Sequence, residues 1–222
     1  MDIKKIFKYL ILVVVVIALN FINFVITPNT NASDTKDQFE IVKLGKYSAE
    51  LPEIGNIEEE IEWLVISEDA NKKLLISKNI LFPSVFNTYD IITTWEDSNL
   101  RRHLNNNFYA SSFTEREREK ILQTRVIVDK NELFGTGLGS ATEDKIFILS
   151  NTELERYLKS NKESICGKIA SKLDCTNYYW TRTSGYSNYD MCCVDFLGQI
   201  NKYGYAATAK RTGVRPAMWI KK

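Results

Sequence analysis

Trp180-Thr181-Arg182-Thr183-Ser184-Gly185, Cys192-Cys193-Val194-Asp195-Phe196-Leu197-Gly198-Gln199-Ile200 and Gly213-Val214-Arg215-Pro216-Ala217-Met218-Trp219-Ile220 are the pieces whose reading decides the fold. Each is short, rich in β-branched or aromatic residues and bounded by Gly, Ser or Asn, the pattern of consecutive antiparallel strands. They are expected to lie side by side as the central strands of one sheet. Arg182, Asp195 and Arg215 fall inside these strands, where a charge is unfavourable unless paired. The expectation is therefore a structural ion network in which Asp195 bridges one or both arginines and fixes register. The alternative is that Arg182 and Arg215 together hold an anionic ligand.

Upstream of these pieces the chain alternates strand and helix signals. Residues 39–44 read as an opening strand. Residues 61–66 and 73–77 read as a hairpin around a turn that contains Asp69 and Asn71. From residue 94 the apolar period lengthens, and Leu100, Leu104 and Phe108 at i, i+4 and i+8 predict an amphipathic helix over residues 96–109. His103, the only histidine, lies at the edge of that face and reads as structural, since no Ser, Cys or carboxylate partner for catalysis is legible. Thr114-Glu115-Arg116-Glu117 and Ser150-Asn151-Thr152-Glu153 have the spacing of capping boxes and predict helix starts, the first helix ending near residue 123 and the second near residue 160. A strand over residues 145–149 precedes the second. Gly135, Gly137 and Gly139 lack the Lys-Ser/Thr ending of a phosphate-binding loop and read as a plain loop.

At 222 residues the chain has room for one sizeable core. Residues 9–26 form an uncharged apolar run behind Lys4, Lys5 and Lys8. As a helix it would extend roughly 27 Å, close to the ~30 Å hydrocarbon core of a bilayer. Two readings stand: a cleaved signal peptide, with Thr30-Asn31-Ala32 before Ser33 as the cleavage site, or an uncleaved membrane anchor with its N-terminus in the cytoplasm. Either one exports the remainder, whether secreted or membrane-attached. The organisation expected is residues 1–32 as signal or anchor, 33–38 as linker and 39–222 as a single globular exported domain. Without residues 1–32, which hold three Lys and one Asp, 26 basic and 27 acidic residues remain, a balance that gives nucleic acid nothing to bind.

Cys166, Cys175, Cys192 and Cys193 all lie in the exported part, where disulfides are permitted. Neighbouring strand residues point to opposite faces, so a Cys192–Cys193 bond is disfavoured. The bridges expected join Cys166 and Cys175 to one or both members of that pair. No C-x-x-C pair exists and no metal or cofactor site is read. Tyr186, Tyr189, Tyr203 and Tyr205 lie in Gly-, Ser- and Asn-rich connections and are expected to be exposed as a ligand surface for sugar or peptide, while Trp180 is expected in the core.

With these pieces assembled, the chain resembles a family of bacterial domains of unknown function. The resemblance is carried by Ile61-Glu62-Trp63-Leu64-Val65, Leu74-Leu75-Ile76-Ser77, the block from Trp95 through Ser98, Leu100, Arg101, Leu104 and Asn105 to Phe108, Asp144-Lys145-Ile146-Phe147-Ile148-Leu149-Ser150 with Glu153, Trp180-Thr181-Arg182-Thr183, and Gly213-Val214-Arg215-Pro216-Ala217. It spans about residues 39–221. The closing strands also resemble, more distantly, C-type lectin-like and formylglycine-generating (sulfatase-modifying) domains. That resemblance implies an α+β fold, an antiparallel sheet with two or three helices, here preceded by an N-terminal hydrophobic helix. The calcium-lectin signatures Glu-Pro-Asn and Trp-Asn-Asp do not occur. The function expected is a non-catalytic binding or interaction module for glycan or cell-surface protein, touching the membrane through its N-terminal segment if that is uncleaved. Two alternatives are a cysteine-dependent oxidase or modifying enzyme that uses Cys192 and Cys193, and a structural component of an envelope assembly.

Overall fold

A computed structural model of the protein describes residues 39–51, 55–158, 165–166, 168–169 and 177–222. By its internal contacts Asp37–Lys222 forms one compact unit. The expected N-terminal helix and linker lie outside the described residues. Among the described residues no helix is long and apolar enough to cross a membrane.

The domain is mainly antiparallel sheet with a few short helices, so the α+β reading holds at that level. The expected hairpin is present as β2 (Gly55–Glu68) and β3 (Lys72–Ser77), and β1 (Ile41–Leu51) pairs antiparallel with β2. Leu74, Leu75 and Ile76 are consecutive and all buried, which marks β3 as a central strand covered on both faces. A first five-stranded sheet runs β1-β2-β3-β14-β8, with β8 at Phe147–Ile148 and β14 at Pro216–Lys221. A second runs β12-β11-β10-β13-β5, from Ile200–Ala206 through Asp190–Val194, Tyr179–Ser184 and Gly213–Val214 to Phe82–Pro83. Two small pairs complete the set: β4 (Asn79–Ile80) with β9 (Lys168–Ile169), and β6 (Thr124–Val126) with β7 (Thr142–Asp144).

The three closing segments therefore do not form one sheet. The first two pair antiparallel as β10 and β11, but the third divides at Arg215. Its first half, β13, runs parallel to β10, and its second half, β14, joins the other sheet beside β3. Alternation along a strand records which residues are inside but not which sheet they join, so the sequence carried no mark of this split.

Ser98 caps the helix over residues 99–112, accepting from the Arg101 amide at 3.1 Å, so it starts later than the apolar period alone suggests. Its turns are α1 (Asn99–His103), a π turn (Leu104–Phe108) and α2 (Tyr109–Ser112). Leu100, Leu104 and Phe108 are buried as expected. His103 is exposed, its ring edge-on to Phe82 at 5.5 Å between centroids. Asn105, in the π turn, clamps a neighbouring chain segment: its Oδ1 accepts from the Lys145 and Ile146 amides at 2.8 and 3.1 Å, and its Nδ2 donates to the Ile146 carbonyl at 2.8 Å. Buried Asp144 accepts from Trp95 Nε1 at 2.9 Å and Arg101 Nε at 2.7 Å. Both capping boxes form. Thr114 and Glu117 open α3 (Glu115–Arg118), which ends five residues earlier than expected, and Ser150 and Glu153 open α4 (Asn151–Leu158).

At the joint between the sheets, Arg215 is 1% exposed. Its guanidinium donates to the carbonyls of Ser77 at 2.8 Å, Ile165 at 3.1 Å and Lys78 at 3.2 Å, and lies 5.4 Å from the Tyr179 ring centre. Burial lowers its pKa. Replacing it by Ala strands buried carbonyls and opens a cavity, a loss of about 3 kcal/mol or more, which for a domain of this size is about 6–12 °C in Tm. Arg215→Lys recovers little of this, because one ammonium cannot reproduce the planar fork of donors. Thermal unfolding followed by circular dichroism checks both values.

Candidate functional site

One end of the β10–β11–β12 ladder carries a group of surface rings whose support starts at a buried side chain, Asn131. The Asn131 carboxamide donates to the Lys202 carbonyl at 2.7 Å and the Ser184 carbonyl at 2.9 Å, and accepts from the Leu133 amide at 3.0 Å. Its backbone closes a turn on itself, with Asn131 N donating to Thr136 O and Gly135 N to Asn131 O, both at 2.8 Å. Thr136 Oγ1 adds a 2.6 Å bond to the Gly185 carbonyl. The loop over residues 131–137 is thereby fastened to the end of β10 and to β12. Phe134 is set down between them.

Strand β12 supplies the other half. Its register against β11 shifts between Met191↔Tyr205 and Cys193↔Asn201, so residues 202–204 bulge out of the ladder. Gly204 sits at φ 79°, and a Cβ there would meet the Met191 carbonyl at 2.5 Å, so the bulge requires glycine. Asn201 Oδ1 accepts from the Tyr203 and Gly204 amides at 3.1 and 3.2 Å, and the Tyr203 carbonyl accepts from the Tyr186 amide at 2.8 Å. The bulge turns Tyr203 toward Tyr186. Their rings are near-parallel, 19° apart with centroids at 6.4 Å, and the Phe134 ring stands steeply to both at 5.1 and 5.0 Å. Tyr186 is 62% and Tyr203 64% exposed.

The four tyrosines expected at the surface are all exposed, Tyr189 by 46% and Tyr205 by 39%, but they are not one cluster. Tyr205 packs instead on Tyr178 at 5.7 Å, which in turn meets Phe196 at 6.2 Å. Tyr189 lies in the turn that Asn188 ties to two further loops, its carbonyl accepting from the Thr93 amide at 2.8 Å and its Oδ1 from the Gly137 amide at 3.3 Å. Those loops expose Tyr89, Ile91, Ile92 and Leu138. Trp180 is in the core, as expected, with Nε1 donating to the Ser84 carbonyl at 2.8 Å. Sequence reasoning missed Asn131 and Phe134. Their signal is an aromatic ring and an amide in a Gly-rich loop, and no local pattern there marks the distant carbonyls and rings they meet.

The ion network is different from the one expected. Arg182 pairs with Glu153 at 2.5 and 2.7 Å and donates to the carbonyls of Ile148 at 2.7 Å and Ile127 at 3.1 Å. Glu153 thus serves both as the capping-box acid of α4 and as counter-ion to the buried arginine. Asp195 bridges neither arginine. Strand β11 ends at Val194, and the Asp195 carboxylate accepts from the amides of Leu197 and Gln199, each at 2.8 Å, to shape the turn to β12. The two arginines hold separate joints, and each is occupied by backbone carbonyls, so they do not form a shared anion site.

The disulfide expectation is also corrected, since Cys166, Cys192 and Cys193 are free thiols and Cys175 lies outside the described residues. Cys192 Sγ turns to the Ser184 carbonyl at 3.2 Å, into the ladder. Burial pushes the thiol of Cys192 up to about 11 and that of Cys193 up to about 12. Among the described residues no group of three or more His, Cys, Asp or Glu is placed to hold a metal ion. At pH 7.5 both thiols are protonated, with a thiolate fraction more than about 100-fold below that of a free cysteine of pKa ~8.5. Iodoacetamide labelling of the native protein is expected to spare both residues, and labelling in guanidinium to modify them; mass spectrometry of the peptides reads the outcome.

No curated protein and no solved structure matches the chain. Residues 70–222 match a family described as a domain of unknown function, DUF6273. The match starts in the β2–β3 turn and takes in the Asn131 loop, the β12 bulge and both arginine joints. The chain therefore belongs to the DUF6273 domain family.

Proposed function

We propose that this chain is an exported, non-catalytic binding module that recognises glycan or protein at the cell surface through the rings of Phe134, Tyr186 and Tyr203. The observation that carries the reading is the exposure of Tyr186 and Tyr203 on a backbone fixed by buried and part-buried hydrogen bonds from Asn131 and Thr136. Exposed aromatic surface is unfavourable in water, and rings held in place and offered to solvent suit recognition. Export rests on the apolar run after Lys4, Lys5 and Lys8. The resemblance of the closing strands to C-type lectin-like domains points the same way as an analogy of fold. The enzyme alternative, based on Cys192 and Cys193, is disfavoured because their burial keeps both thiols protonated.

The test is binding of the purified chain to cell envelopes. The double variant Tyr186→Ala/Tyr203→Ala is expected to lose about 10-fold or more in apparent affinity. Its Tm is expected to stay within about 3 °C of the parent, since exposed side chains contribute little to stability. Equal retention of the variant and the parent on envelopes would remove the proposal.

A further inference from the structure

We infer that the ligand of this surface is a neutral polysaccharide, whose pyranose rings stack on Tyr186 and Tyr203. The inference rests on the binding-module reading and narrows it to one chemistry. Three observations lead to it.

The first is that β12, at the edge of its sheet, is sealed beside the rings. A peptide that binds by strand addition needs free N–H and C=O groups along an edge. Here the Tyr203 and Gly204 amides are taken by Asn201 Oδ1. The Lys202 and Tyr203 carbonyls are taken by Asn131 Nδ2 and the Tyr186 amide. What the bulge presents outward is the ring of Tyr203 rather than its backbone.

The second is the electrostatic balance. The cation nearest the bulge, Lys202, is paired with Glu132 at 2.9 Å and faces Glu155 at 3.6 Å. The Asp190 carboxylate accepts from Ser187 Oγ in the turn below Tyr186. Three carboxylates, Glu132, Glu155 and Asp190, thus stand against the one ammonium of Lys202, a balance that disfavours an anionic partner and costs an uncharged polymer nothing.

The third is ring geometry. Two near-parallel, stacked rings with centroids 6.4 Å apart, both in contact with Phe134 and both more than half exposed, offer flat apolar surface to a sugar face. The axial C–H faces of sugars complement such surfaces, and a Tyr hydroxyl can meet sugar hydroxyls at the edge of the contact. Phe134 is the positioning residue: its ring meets both tyrosines steeply, at 5.1 and 5.0 Å between centroids, and fixes their relation.

The experiment uses the full chain in detergent, tested against insoluble cellulose, chitin, xylan and mannan in 0.1 and 0.5 M NaCl. Expected is retention on at least one of these that changes less than about 2-fold with salt, as for an uncharged contact. Tyr203→Ala and Phe134→Ala are expected to weaken it about 10-fold. Tyr203→Phe, which keeps the ring, and Tyr89→Ala, which removes an exposed ring elsewhere, are expected to retain it. Polysaccharide retention unchanged in Tyr203→Ala would overturn the inference. So would capture on cells that protease treatment of those cells abolishes, with no polysaccharide held; that result would leave the binding module standing and make its ligand a protein. Failure to bind polysaccharides, cells and protease-treated cells alike would overturn both. Circular dichroism of Phe134→Ala, with Phe134→Leu as a second variant, separates loss of the rings' alignment from loss of fold.

Discussion

Arg215 is the constraint on which the two-sheet arrangement depends. The closing stretch crosses from one sheet to the other at this residue, while β3 leaves the first sheet at Ser77 and Lys78, whose carbonyls accept from Arg215. Strand exits of this kind leave backbone acceptors without ladder partners, and in a dry interior such acceptors must be satisfied locally. Arginine alone offers five donors in a fixed plane that never loses its charge at physiological pH. A third bond to Ile165 and the Tyr179 ring draw in the region before β10. Because β13 pairs with β10, the position of the β10–β11–β12 ladder, and of the rings at its end, follows from how this joint is made.

The same device recurs at each place where a helix or loop meets a sheet. Asp144 ties Trp95 and Arg101 to β7, Asn105 holds the 145–146 backbone, Glu153 joins the start of α4 to Arg182, and Asn131 fastens its loop to β10 and β12. The DUF6273 match covers the clamps and the rings alike, and a shared frame places no demand on which ligand a member presents.

What the sequence made legible follows the range of the interaction involved. The β2–β3 hairpin, the buried row Leu100, Leu104 and Phe108, and the capping boxes at Thr114 and Ser150 are local, set by residues within a few positions of one another. Their chemistry is written in the spacing. The Arg182–Glu153 pair spans 29 positions and the Arg215–Ser77 bond 138. Composition shows that a buried charge needs a partner but not which of several carboxylates or carbonyls supplies it. Asp195 was misassigned for a related reason: Val194-Asp195-Phe196-Leu197-Gly198 reads as strand until the Asx turn on Leu197 and Gln199 is seen to end it. The site was half legible. Exposure of the four tyrosines followed from the turn residues around them. Their division into two clusters did not, because the bulge at residues 202–204 breaks the alternation that would have put Tyr203 and Tyr205 side by side.

A framework held by buried polar clamps has a consequence for recognition. Tyrosine has few rotatable bonds, and here the backbone on both sides of the ring pair is fixed by the Asn131, Thr136 and Asn201 contacts, so most of the ordering needed for contact is completed during folding. A pre-ordered pair of rings can therefore gain from a small contact area, but a surface patch buries too little to give tight binding alone. On the proposed reading, affinity for a polymer comes from repetition: many equivalent sugar faces along one chain, met by many copies of the domain displayed on one surface, convert a weak single contact into firm attachment. An uncleaved N-terminal anchor would supply that display, while a secreted form would have to rely on the ligand's repetition alone.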